Sequence, residues 1–180
     1  MATSAPVYVP REEYLNTTYR PDRDWIGGET KERTMGEQPH ASVQGFFIQW
    51  LKNRAVEIGI RVFPEQRVQT SSTNYRIPDV CVVRRATPME PVVVTPPLLC
   101  IDILSREDRM SDIQERVEDY LAMGVQVVWV VDPQRRRAYE ILPNGAMQPV
   151  PRELTVAGTE IRIPLPDVFA ELDEMEAAQS

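Results

Sequence analysis

Lysine is nearly missing from this chain of 180 residues: Lys31 and Lys52 are the only two. Histidine is represented by His40 alone. The two cysteines, Cys81 and Cys100, fall in apolar runs, lack the companion ligands of a zinc site, and read as small core residues with no disulfide expected. No apolar run approaches the roughly 18 to 20 residues that a membrane-spanning helix needs. The first residues, MATSAPVYVPREEY, lack the basic-then-apolar pattern of a secretory leader, so a cytoplasmic location is expected. Internal repeats and interdomain linkers are also missing. Positive charge is in deficit, with a net charge of −7. That disfavours tight non-specific binding to nucleic acid, which needs a basic footprint. Charge is local, however, and arginines cluster at Arg84–Arg85, Arg106/Arg109 and Arg135–Arg137.

What is present centres on residues 75–133. Three apolar, β-branched runs lie there, Arg76 to Val83, Leu98 to Leu104 and Gln126 to Val131. Between the last two, Ile113, Val117, Tyr120 and Leu121 form one helical stripe over Ser111 to Met123, closed by Gly124. Strand, helix and strand in that order read as a βαβ unit with two parallel strands. The length suits one domain with a sizeable core.

Around this unit the chain divides into residues 1–39, an N-terminal arm packed on the core by Trp25; residues 40–172, the domain itself; and 173–180, a frayed tail. Within the arm, Trp25-Ile26 and Lys31 to Thr34 could pair as a short hairpin across Gly27-Gly28. From Val43 to Ile58 apolar residues recur at three- and four-residue spacing, a helix that Gly59 ends. Ile60 to Gln69 reads as a strand forming a hairpin with Tyr75 to Val83. Ala138 to Leu142 and Met147 to Val150 flank the turn signal Pro143-Asn144-Gly145. Ile161 to Ile163 suggests a last strand, and Leu165 to Phe169 a turn of helix.

Two strands of the central unit each carry one acid, Asp79 and Asp102. A carboxylate inside an apolar strand is costly unless paired. Two on neighbouring strands could share a divalent cation, Mg²⁺ or Mn²⁺, with the backbone carbonyl of Ile103 as a third donor and oxygens of water and substrate completing the shell. Such an ion assists hydrolysis of a phosphodiester. Side-chain alternation turns Asp102 and Leu104 to one face and Ile103 to the core.

At these residues the sequence resembles the Uma-two-type restriction endonuclease domain, a bacterial branch of the PD-(D/E)XK nuclease superfamily. The resemblance runs through Glu13-Tyr14-Leu15, Tyr19-Arg20-Pro21-Asp22, Gly28-Glu29, Gly36-Glu37, His40, Pro78-Asp79, Asp102-Ile103-Leu104-Ser105, Asp112, Arg116, Tyr120, Gly124-Val125 and Trp129-Val130-Val131-Asp132-Pro133. It implies an α/β (α+β) restriction-endonuclease-like fold, with a mixed central β-sheet flanked by helices. It also implies a metal-dependent site at Asp79 and Asp102, acting on DNA. The family usually carries Glu at the position of Asp102 and Lys at that of Arg116, and the superfamily lysine is replaced by Leu104. Arginine can clamp a phosphate but does not deprotonate, so Arg116 cannot act as a general base. A surface ion pair is its plain alternative role. Glu37, His40 and Gln66 are left without assigned roles, Gln66 being expected on the strand beside Pro78-Asp79. Two functions follow: an Mg²⁺-dependent DNA endonuclease, or a non-catalytic member of the same fold that binds nucleic acid or a protein partner. A two-fold homodimer is expected, because the run Gln126 to Val131 and the aromatic first helix offer much apolar surface and cutting two strands favours two sites.

Overall fold

The computed structural model describes residues 7–33 and 36–179. In chain order the elements are α1 (Arg11–Asn16), β1 (Arg23–Ile26), β2 (Glu29–Glu32), α2 (Gln38–Ile58), β3 (Ile60–Pro64), β4 (Val68–Gln69), β5 (Asn74–Arg76) and β6 (Val80–Arg84). There follow β7 (Leu99–Ile103), α3 (Met110–Met123), β8 (Val127–Asp132), β9 (Arg137–Ile141), β10 (Met147–Pro149), β11 (Glu153–Thr155), β12 (Arg162–Pro164) and α4 (Leu165–Ala177). Six strands form the main sheet in the order β10-β9-β8-β7-β6-β3, four form a smaller sheet, β2-β1-β5-β4, and β11 pairs with β12. In the main sheet β7 and β8 run parallel, joined through α3, and the other neighbours are antiparallel. This is the mixed sheet and the βαβ unit that the apolar runs and the helical stripe predict.

Alternation along the central strands sorts two layers. Leu99, Ile101 and Ile103 of β7, with Val127, Trp129 and Val131 of β8, enter one cluster with Val43, Phe47 and Leu51 of α2 and Val168, Phe169 and Leu172 of α4. Cys100, Val128 and Val130 turn the other way, onto Ile113, Val117 and Tyr120 of α3. Helices α2 and α3 end at Gly59 (φ +76°) and Gly124 (φ +92°), left-handed positions that glycine adopts without a Cβ clash.

Three expectations change, and one strand appears that none announced. The hairpin of Ile60 to Gln69 with Tyr75 to Val83 is broken at one level on both strands, and its two halves join different sheets. On one strand Glu65 takes φ of +48°; on the other Pro78 has no N–H to give to a ladder. The break moves Gln66 off the strand into a connection, where its amide donates to the carbonyls of Arg67 and Pro91. The C-terminal tail is helical to Ala177 rather than frayed from residue 173, because Leu172 is buried and Met175 packs on the same cluster. Finally, β11 carries no alternation long enough to announce it.

The segment before α2 does form a hairpin, β1 with β2, and β1 also pairs with β5. Thr34, expected at its end, lies outside the described residues. Trp25 is buried with Tyr14 and Tyr75 and donates its indole N–H to Val9 O at 2.8 Å. The apolar run of β8 is fully buried between β7 and β9, so burial within one chain accounts for it without a second copy. No helix among the described residues is long and apolar enough to cross a membrane.

Candidate active site

The broken hairpin delivers Asp79. In the β6–β7 register Val80 faces Ile101, and one step further Asp79 stands opposite Asp102. Antiparallel partners share a face of the sheet. Each aspartate continues the alternation of the cysteine two residues away, on the face turned from the α2–α4 cluster. A backbone contact ties them: Ile103 N–H donates to Asp79 Oδ2 at 2.6 Å. The Ile103 side chain lies in the hydrocarbon core, and Leu104 packs toward α3, as alternation predicts.

Each buried aspartate has its own arginine. Arg33, just after β2, places Nη2 2.7 Å from Asp79 Oδ1, and His40 Nε2 in the first turn of α2 stands 3.3 Å from the same oxygen. Arg116 Nε of α3 lies 3.0 Å from Asp102 Oδ2, and the Tyr120 hydroxyl donates a long 3.4 Å bond to Asp102 Oδ1. Arg76 joins Asp24 of β1 (3.2 Å) to Asp119 of α3 (2.5 Å), holding the small sheet against that helix. Asp108, before α3, stands 3.5 Å from Arg116 Nη2 and accepts from the N–H and hydroxyl of Ser105.

Arg116 is therefore buried on Asp102, not spread on the surface beside Asp112. Glu37 pairs with Arg106 at 3.2 Å, leaving His40 to Asp79. Arg33, Asp24, Arg76 and Asp108 carry no signal that sequence reading could single out. They are charges in short, aperiodic segments: the assembled small sheet brings in Arg33, Asp24 and Arg76, and the turn before α3 brings in Asp108.

Electrostatics separates the two carboxyls. Burial alone would raise Asp79, but the Arg33 guanidinium, His40 and the Ile103 N–H outweigh it and hold the group below the ordinary carboxylate range. At Asp102 burial prevails over Arg116 and Arg33, and the neighbouring Asp79 charge adds to it, so this carboxyl is pushed up. Burial favours neutral His40, yet its contact with Asp79 raises it above the usual imidazole value.

The cation that the resemblance implies can be tested against these atoms. Among the described residues no three His, Cys, Asp or Glu side chains gather to hold a metal ion. The donors on offer are two carboxylates and the Ile103 carbonyl. Hard oxygen donors of this number suit Mg²⁺, which binds through one or two carboxylates and keeps several waters. Asp102 Oδ2 is also buried without a well-directed hydrogen bond; its ion pair with Arg116 meets the distance but not the angle. The residues fit a small divalent cation, with Arg33 as an internal competitor at Asp79.

The fold recurs in a solved structure. A putative nuclease of Anabaena variabilis ATCC 29413 belonging to DUF820 superimposes with a TM-score of 0.78 at 19% identity, over 93% of this chain and 99% of that one. A chain of the DrdV–DNA complex overlaps with a TM-score of 0.43 at 19% identity, over 78% of this chain and 12% of that one, too slight a likeness to argue from. No curated protein matches the chain. The profile of the Uma2 family, described as "Putative restriction endonuclease", matches residues 11–173, from the first residue of α1 into α4 and so across both sheets and the aspartate pair. The chain belongs to the Uma2 family.

Proposed function

We propose that the protein is a metal-dependent endonuclease that hydrolyses DNA phosphodiester bonds at the Asp79–Asp102 pair. The observation that carries this reading is the register of β6 and β7, which sets the two carboxylates opposite each other beside the Ile103 backbone. Asp79, Asp102 and the Ile103 carbonyl would hold Mg²⁺ or Mn²⁺. When bound, such a cation polarises the phosphodiester and makes water a stronger nucleophile at neutral pH. Arg116 orients Asp102 in the free protein, and its guanidinium, which lines a cleft of mixed charge with Lys31, Arg33, Arg76 and five carboxylates, can stabilise charge on the phosphate. It supplies charge and not a base. Cutting both strands calls for two such sites, so a homodimer belongs to the proposal, and light scattering at micromolar concentration tests it.

One observation favours the second reading, a non-catalytic fold that binds nucleic acid or a protein partner: Asp79, Asp102 and Asp24 are each matched by an arginine. Incubating plasmid DNA with the purified protein in Mg²⁺ and in Mn²⁺ separates the two. The endonuclease reading expects nicking or cutting that chelation abolishes and that Asp79→Asn or Asp102→Asn removes. Cation-independent cutting, or cutting that survives both substitutions, overturns it. No cutting by any form of the protein moves the balance to the second reading.

A further inference from the structure

Arg33 stands where a divalent cation would compete for Asp79. Its backbone is fixed, since its N–H donates to Asp22 O at 2.9 Å. Its side chain reaches inward from there to Asp79 Oδ1 at 2.7 Å. One nitrogen, Nη1, is buried with no hydrogen-bond partner among the described residues. The side chain is not sealed off: it lines a cleft of mixed charge, in which Lys31, Arg76 and Arg116 stand among five carboxylate side chains. Beside it Asp102 Oδ2 is a buried acceptor without a directed donor. The site therefore holds an unsatisfied donor on Arg33 and, at Asp102 Oδ2, an acceptor whose ion pair with Arg116 is poorly aligned, and these two do not satisfy each other. A phosphate oxygen would complete the first, and a cation the second. Guanidinium binds phosphate as readily as carboxylate, through the same planar fork of donors.

We propose that Arg33 is an exchangeable internal cation, holding Asp79 while DNA is absent and passing to a backbone phosphate when DNA binds, which frees Asp79 for the divalent ion. The proposal rests on the endonuclease reading above and adds a regulation to it. Cation and DNA then bind cooperatively, and the coupling is reciprocal: whatever factor DNA adds to cation affinity, the cation adds to DNA affinity. In the absence of DNA the site disfavours metal, because the ion must first displace a charge-assisted hydrogen bond.

Calorimetric titration of Mn²⁺ into the chelator-stripped, DNA-free protein tests the first half. Arg33→Gln, which keeps an amide but removes the charge, should bind Mn²⁺ more tightly than the parent, by on the order of tenfold for one lost charged hydrogen bond. Fluorescence anisotropy of a short mixed-sequence duplex, with and without Ca²⁺, tests the second half. Ca²⁺ should strengthen duplex binding by the parent and do so much less for Arg33→Gln. Equal Mn²⁺ affinity in parent and variant overturns the proposal and leaves the endonuclease reading standing. Tighter Mn²⁺ binding with undiminished Ca²⁺ coupling overturns the hand-over to phosphate. Failure of both proteins to bind Mn²⁺ removes the metal site itself, and the proposal with it. The anisotropy comparison is also decisive on the parent alone: no gain from Ca²⁺ there overturns cooperativity even if the variant does not fold.

Discussion

The two faces of the main sheet are built from the same strands and to opposite plans. On the α2–α4 side every buried side chain from β7 and β8 is hydrocarbon or indole. On the α3 side the same strands begin with Cys100, Val128 and Val130 and then, at one end, give way to Asp102, faced by Asp79 and ringed by arginines. The first face buries no charge, its one polar atom from these strands being the Trp129 indole N–H, which has no hydrogen-bond partner among the described residues, and it carries stability. The second buries charges whose desolvation roughly cancels their attraction, so ion pairs there add little net stability. It is this charged end of an otherwise apolar sheet that the proposed function would use.

The comparison breaks hardest on the apolar face. Phe47 is fully buried, and its ring lies 6.2 Å from that of Trp129 across the layer. Phe47→Ala should cost about 4 kcal/mol in urea unfolding, the loss expected when a large core side chain leaves a cavity. A loss under about 1 kcal/mol would mean that the α2–α4 layer is not the stabilising one.

On the charged face a single deletion and a matched replacement should differ in kind. Arg116→Ala strands Asp102 in a buried site, and breaking one partner of such a pair costs about 3 kcal/mol. Replacing both, with Asp102→Leu and Arg116→Met, should recover most of that loss while removing the proposed activity. A double variant as unstable as the single one would show that the pair stabilises the fold and that the two faces do not differ in kind.

Most of the fold was legible in the sequence, and the reason differs by region. The βαβ unit could be read because its two strands are continuous β-branched runs and its helix has one clean apolar stripe, ended by Gly124. Alternation placed Asp102 and Leu104 on one face, while the approach of Asp79 from the adjoining strand rested on the two strand positions and the family resemblance. The small sheet was less legible: β4 and β5 are two and three residues long, too short for a period to show. The kink at Glu65 was hidden because a non-glycine residue at positive φ carries no compositional mark. The arginines suffered most. Arg33 and Arg76 look like surface charges until β1, β2 and β5 fold over α3 and bury them.

The smallest expected effect is the one that links the two faces, at His40. Its helix packs on the apolar side, while its imidazole reaches Asp79 on the charged side. Burial and the Arg33 charge both favour the neutral ring; the contact with Asp79, helped by Asp108, prevails and raises the pKa above 6.5 in the folded chain. The unfolded chain has no such contact and titrates near its ordinary value. A raised folded pKa means that the folded state binds the proton more tightly. This contribution to stability is complete below the unfolded value and is lost as pH rises through the raised one. With a chelator present, so that no cation competes for Asp79, stability should therefore decline as pH rises above 6.5. One proton limits the slope to about 1.4 kcal/mol per pH unit. Asp102, a carboxyl that burial pushes up, can add a slope of its own, so the parent curve alone does not identify the group. His40→Gln removes the titrating ring and keeps a hydrogen-bond donor toward Asp79. The difference between the parent and His40→Gln curves should shrink as pH rises from 6 to 8, two values chosen roughly to bracket the imidazole range. Parallel curves across that range would show that His40 does not change its proton binding on folding and that its contact with Asp79 is not an ion pair.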